Sequence, residues 1–432
     1  MSVKPLWTHL KRGIAGIARH EIWPVGLGIL LASASTRLAP WGLALLVVMW
    51  GIRWLGQGRL TVRTPVDWPA AALLGMGGVA WMVTVDREAT FLALSRLLAG
   101  LALMYSLVNW ASTRARLLLI LWGTTLGALA LAAATPVVIP WQNVHPLLMP
   151  LGARIPHLRK LLNPNMVAGA LVMLLPFPLA GSVLLLKVKL AALPAVPVKA
   201  LQLWRVVSVP VTLVVLSALL FTQSRGAWLA AGSAGFTVAV GLTPLFLGGL
   251  LLPVLAGGWL VWQGRLTSFL DALGTGGGIA GWDQRVEIWS RALYMIQDFP
   301  FTGTGANTYP LVVNVLYPLF LISPTTVIAH AHNLLLQVAV DLGVPGLIAF
   351  MSIVLSAFFC AARCIRRSTG DPLRRVTAWA GIASLAAMLV HGLVDAATWI
   401  VGWGAPLPWF VFGLLFAAAH HREASTFENL SA

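Results

Sequence analysis

The sequence predicts an all-α polytopic membrane protein with about twelve transmembrane helices and a long structured outer loop between the ninth and tenth. Two observations predict it. Hydrophobic residues make up 59% of the 432 positions and charged residues only 10%, where a soluble domain is nearer half apolar and a quarter charged. The apolar residues also fall in solid runs of about twenty, the length that spans a bilayer as a helix. A membrane β-barrel would show strict alternation instead.

Candidate spans fall at roughly 23–38, 39–56, 68–85, 89–109, 115–136, 165–186, 206–223, 226–243, 244–263, 331–362, 374–397 and 401–419. Pro40 and the Gly241-Leu242-Thr243-Pro244 turn alone separate the closest pairs. The basic stretch before the first span lacks a following small-residue cleavage site and reads as a cytoplasmic arm. With that arm inside, lysines and arginines favour the inner segments by about two to one, which places both termini in the cytoplasm of a multi-pass inner-membrane protein. The net charge of +16 fits positive-inside topology and anionic membrane lipids better than nucleic acid. Residues 1–432 read as one integral membrane domain without internal repeats. Cys360 and Cys364 sit one turn apart on one helix and brace nothing distant.

The outer segments carry basic residues that topology alone would remove, and these are the functional candidates. Segment 264–330 is long enough to be a lid or binding element. Its Gly274-Thr275-Gly276-Gly277-Gly278 run reads as a hinge, since no Lys-Ser/Thr pair follows to make a phosphate loop. Trp282 to Ile296 then has helical spacing, and Arg285 and Trp289 share a face. Arg225 stands in the turn Thr222-Gln223-Ser224-Arg225-Gly226, where a guanidinium could pair with a phosphate or snorkel to headgroups. Ser224 and Gly226 would let backbone N–H groups approach the same anion. Arg291 reads as solvated and Arg265 as a membrane anchor. Arg154, Arg159 and Lys160 precede Asn163-Pro164-Asn165, which opens the sixth span; the asparagines suit a helix cap and the cations could steer an anionic headgroup.

His330, His332 and Asn333 open the tenth span. The positive end of that helix and nearby arginines favour a neutral imidazole, which can accept a proton as a general base. Asn333 either caps the helix or orients a substrate. Gly343 and Gly346 read as structural, allowing close helix contact. His391 and Asp395 share a face of the eleventh span, and the expected partner of Asp395 is His391 or Arg96. No Asp-x-Asp pair or His/Cys/Asp cluster with metal-ligand spacing is visible, which favours a metal-independent mechanism with no cofactor.

In that order, Ser224-Arg225-Gly226, Arg285-x3-Trp289, Pro300-x2-Gly303-x-Gly305 and His332-Asn333-x9-Gly343-x2-Gly346 resemble the O-antigen ligase and O-antigen polymerase superfamily, the ligase branch in particular. The resemblance is strongest over roughly 150–400. It implies a GT-C-like, inverting glycosyltransferase. The donor would be a glycan on undecaprenyl pyrophosphate, and the acceptor a sugar hydroxyl of a lipid A-core. Carried over by position, His332 would deprotonate the acceptor, and Arg225 and Arg285 would hold the pyrophosphate. Arg154, Arg159, Asn165, Ser224, Trp289, His330 and Asn333 are further substrate-binding candidates. The alternatives are a polymerase, a protein O-oligosaccharyltransferase, or a small-anion (bicarbonate-like) transporter. Transport would place ionisable residues at the bilayer midplane, whereas most here lie at the outer boundary.

Overall fold

The computed structural model describes residues 13–18, 20–111, 113–140, 162–184, 196–265, 268, 282–323, 325–400, 402 and 404–420. Fifteen α-helices with described limits follow one another, and no strand occurs among the described residues. They are α1 (Ile22–Ala34), α2 (Ala39–Gln57), α3 (Asp67–Val83), α4 (Arg87–Trp110), α5 (Arg114–Val138), α6 (Pro164–Leu174), α7 (Pro176–Val183), α8 (Val198–Phe221), α9 (Arg225–Leu242), α10 (Leu251–Trp262), α11 (Trp282–Asp298), α12 (Tyr309–Leu316), α13 (Leu334–Arg367), α14 (Pro372–Gly392) and α15 (Pro406–His420). Among the described residues, seven spans are long and apolar enough to cross a membrane: α2, α4, α5, α6 with α7, α8, α13 and α14. The shorter apolar helices α1 and α15 account for two more of the expected spans. Pro176 divides the expected 165–186 span into α6 and α7, because proline cannot donate to the preceding turn.

Local signals set the helix starts. Asp86, Thr113, Asn163, Asn333 and Asp371 each accept a first-turn N–H of the helix that follows, satisfying donors that the helix itself cannot. Asn163 therefore caps α6, as the sequence allowed. The Asn333 cap also starts the tenth span three residues later than expected.

Small residues decide which helices pack. α9 lies along α14, and both ends of the contact are glycine. A Cβ on Gly226 would stand 2.4 Å from Val394 Cγ2, and one on Gly241 would stand 2.9 Å from the Trp379 ring. Between them Ala227, Ala230 and Ala234 are fully buried. α4 accepts α15 in the same way, with Gly100 under the Trp409 ring and Gly413 against the Met104 carbonyl. Without a hydrophobic drive between helices in lipid, such close backbone approach is the main source of attraction.

The α11–α12 segment forms a small module beside the N-terminal part of α13. Ile288, Ala292, Met295, Tyr309, Val312 and Val313 make its core, joined by Ala331 and Val340 from the α13 side. Glu287 holds the returning chain by accepting the Phe320 and Leu321 N–H groups at 2.6 and 2.9 Å. Arg291, read from sequence as solvated, reaches the Pro318 carbonyl at 2.9 Å and Glu287 at 3.5 Å. It is part of this scaffold.

α13 has 34 residues, which as one continuous helix would run about 51 Å, against a hydrocarbon thickness of about 30 Å. It is interrupted at Gly343, where φ is 70° and ψ is 176°. The break removes the helical bond between Val344 N–H and Val340 C=O. The turn after α11 replaces it: Val344 N–H donates to Pro300 O at 2.7 Å, and Thr304 N–H donates to Val340 O at 2.8 Å. Gly303, at φ 64°, sits so close that a Cβ would be 2.6 Å from Val340 O. The expectation that Gly343 serves helix–helix contact is thus corrected. What approaches Gly343 is the Pro300–Phe301 backbone, at 2.8 Å from a would-be Cβ.

Candidate functional site

The chain just beyond α14, Leu393 to Asp395, is the point where the separate motifs meet. Asn333 Nδ2 donates to Leu393 O at 3.1 Å. Arg285 Nη1 donates to Val394 O. Gly226 packs on the Val394 side chain, which brings the start of α9 and the neighbouring Arg225 to the same point. Asp395 faces His330 Nε2 at 3.7 Å and His332 Nδ1 at 3.8 Å. Asp395 is itself oriented by the Ala397 N–H at 2.8 Å.

The two histidines are held by a tight turn. His332 has φ 48°, a left-handed conformation that costs about 1–2 kcal/mol for a residue with a Cβ. Bonds on both sides of the residue maintain it. Its N–H donates to His330 Nδ1 at 3.2 Å, and its carbonyl accepts the Trp289 indole N–H at 3.3 Å. The imidazole rings lie 4.3 Å apart. Trp289 also meets Trp282 edge-on at 5.3 Å, so the aromatic face expected beside Arg285 is present and already anchors the turn.

Charge at this site is only partly compensated. His330 is buried; burial first, and then His332, lower its pKa from the ordinary 6.5 and favour the neutral ring. Burial also lowers the Arg285 pKa, against the opposing pull of Asp395. His332 Nδ1 and Arg285 Nε are buried without a hydrogen-bond partner. In a folded protein, buried orphan donors mark strain or a missing partner.

Several sequence expectations change here. The expected partners of Asp395 were His391 and Arg96; the geometry adds His330 and His332, while Arg96 donates to Ser33 O and Ile400 O. The sequence shows no His/Cys/Asp cluster with metal-ligand spacing, and the fold brings one together from distant positions. Among the described residues His330, His332 and Asp395 each offer a ligand atom, all within 4.8 Å of one another. Sequence spacing hid this cluster because Asp395 returns from the far end of α14. The signal was present: an acid in an apolar stretch needs partners.

The remaining candidates are placed as follows. Asn333 is the α13 cap, accepting Leu335 and Leu336 N–H at 3.0 and 3.1 Å, as well as the tie to Leu393. Ser224 precedes α9, buried, with its side chain making no cap bond. Asn165 lies one turn before Gly169, which abuts the His391 ring. Arg154, Arg159, Lys160 and the Gly274–Gly278 run lie outside the described residues.

Residues 210–351 match the family model described as O-antigen ligase. The matched stretch runs from within α8 into α13 and contains Arg225, Arg285, Pro300, Gly303, His332, Gly343 and Gly346. It therefore covers the residues that carry the resemblance to the O-antigen ligase and polymerase superfamily and supports an enzyme of that general kind. It stops short of Asp395. No curated protein matches the chain.

Proposed function

We propose that the protein is an O-antigen ligase-like glycosyltransferase. It would move a glycan from undecaprenyl pyrophosphate to a sugar hydroxyl, that of a lipid A-core, at the outer face of the cytoplasmic membrane. The observation that carries this reading is the convergence of His332 with Asp395 and Arg285, residues brought together from three separate segments.

His332 Nδ1 is directed at Asp395, which leaves Nε2 as the nitrogen for the acceptor. Nε2 removes the proton of the acceptor hydroxyl as its oxygen attacks the anomeric carbon of the donor sugar. The bond from that carbon to the pyrophosphate oxygen breaks with inversion, and undecaprenyl pyrophosphate leaves with the bonding electrons. Arg285 and Arg225 stabilise the charge on the leaving group, a role suited to the planar guanidinium fork. The N-terminal amides of α9 add to the same anion site. Asp395 orients the imidazole and stabilises it once protonated. Because arginines supply the positive charge, the reaction needs no divalent cation. His330, His332 and Asp395 nonetheless have the donor set of a cation site, so EDTA belongs in the test.

The test uses purified protein, undecaprenyl-pyrophosphate glycan and three acceptors: lipid A-core, a second lipid-linked unit and a serine-containing peptide. The reading expects transfer to lipid A-core that EDTA leaves intact and His332→Ala abolishes. Transfer only to another lipid-linked unit, or only to the peptide, would reassign the acceptor. Loss with EDTA and recovery with a divalent ion would overturn the metal-free step, and transfer surviving His332→Ala would overturn the base.

A further inference from the structure

Beneath the histidine turn lies a second set of buried polar groups that the mechanism above does not use. Gln337 and Asp341 stand one turn apart on α13, both fully buried. The Gln337 amide bridges two partners: its Oε1 accepts the Ala331 N–H at 2.7 Å, and its Nε2 donates to Asp341 Oδ1 at 2.9 Å. Only this orientation of the amide satisfies both, since Ala331 needs an acceptor and the carboxylate needs a donor. Asp341 accepts two further N–H groups, from Asn307 backbone at 3.0 Å and from the Trp399 indole at 2.9 Å.

Each end of this chain of bonds touches a segment that already matters. Ala331 is the residue between His330 and His332. Asn307, at φ 62°, belongs to the loop that repairs the Gly343 break. Trp399 follows Asp395 in the same connection. A carboxylate buried in this way is costly to desolvate, and the three groups that donate to Asp341 are all neutral. An apolar pair could fill the same space if packing were the only requirement.

We propose that Gln337 and Asp341 are positioning residues for His332, together fixing the peptide before it. The inference rests on reading His332 as the base. The relay sets Ala331, and Ala331 with the His330 Nδ1 contact sets the left-handed backbone of His332. That backbone aims the imidazole at Asp395 on one side and the acceptor on the other. A shift of about 1 Å in such a group can cost roughly a hundredfold in rate.

The experiment compares the full-length protein with Gln337→Met, Gln337→Glu and Asp341→Asn. Gln337→Met removes both bonds at nearly constant length. Gln337→Glu keeps the acceptor for Ala331 and reaches Asp341 as a carboxyl pair sharing one proton, since two buried carboxylates at that distance cannot both ionise. Asp341→Asn keeps the shape and alters the acceptor end. Three measurements are made: thermal midpoint, kcat with donor KM, and amide hydrogen exchange over Ala331–Asn333. The expected result is a fall in kcat of roughly tenfold to a hundredfold for Gln337→Met, with donor KM within about twofold, a smaller fall for Gln337→Glu, and faster exchange at Ala331–Asn333 in proportion. Variants that keep the wild-type midpoint, kcat and exchange would overturn the proposal. So would a fall in kcat that follows only the midpoint, with no change in the ordering of Met and Glu. If the wild-type protein transfers nothing, the functional reading fails, while exchange still reads whether the relay holds the histidine turn.

Discussion

Two buried charge clusters divide the work of this molecule. In one, Glu21 and Arg53 meet directly, and Arg53 also donates to Leu60 O at 2.9 Å and contacts Ser106 Oγ at 3.5 Å. In the other, Asp395 faces two imidazoles at 3.7 and 3.8 Å, beyond hydrogen-bond length, and Arg285 gives its bond to a backbone carbonyl. In the first, carboxylate and guanidinium bond each other directly and tie the start of α1 to α2, although Arg53 Nε is left without a partner. In the second, His332 Nδ1 and Arg285 Nε are left without partners. Both clusters are buried and both leave a guanidinium nitrogen unmatched, so neither burial nor an orphan nitrogen separates structure from function here. The partner of the acid does: Glu21 has a guanidinium in direct contact, whereas Asp395 has two imidazoles just beyond bonding reach.

Variants that separate the two clusters test this contrast. His332→Ala is expected to lower kcat by about a thousandfold with the thermal midpoint little changed, read by glycan transfer and by melting of the detergent-solubilised protein. Glu21→Ala should do the reverse. It strands a buried guanidinium and should cost about 3 kcal/mol or more in stability, yet leave the kcat of the folded fraction as in wild type. A matched loss of kcat would merge the two clusters into one. Arg225→Ala and Arg285→Ala should each lower kcat/KM for the donor by about a hundredfold; unaltered kinetics in both would remove the leaving-group clamp. Arg114→Ala breaks a partly exposed pair with Asp371, 2.7 Å long, and should shift stability by about 1 kcal/mol at most.

The smallest effect concerns pH. The His330 pKa is lowered in the folded protein, by burial first, so the unfolded chain takes up a proton as pH falls through about 6.5 while the folded chain does not. Below that pH the unfolded state binds more protons, and this contribution to stability is lost as pH falls further. His330→Gln should therefore narrow the gap between thermal midpoints measured at pH 7.5 and pH 5.5. An unchanged gap would show that His330 is not what the folded state holds neutral.

The fold was legible because spanning helices announce themselves by length. The caps were legible too, and Asn163 and Asn333 do what asparagine before an apolar helix suggests. The site was only half legible. Arg225, Arg285 and His332 stood out because each interrupts an apolar context at a boundary. Asp395 stood out as well, but its partners lie in a segment joined to it only by folding. Gln337-x3-Asp341 was an equally available signal, two polar residues one turn apart in a long apolar helix. Gly343 shows a different limit. A glycine in a span suggests close packing, but nothing in a linear pattern says that a loop, and not a helix, will approach it.

The exchange of backbone bonds between the Pro300–Thr304 turn and the interrupted α13 has a consequence for how the site is assembled. Neither segment can satisfy its amides alone, so the two order together. The entropy of fixing the histidine turn is then spent during folding and not when substrate arrives. The α11–α12 module is thereby riveted to a membrane-spanning element at its base and cannot swing there as a lid. Under the proposed function, substrate would meet a histidine turn that these bonds have already ordered.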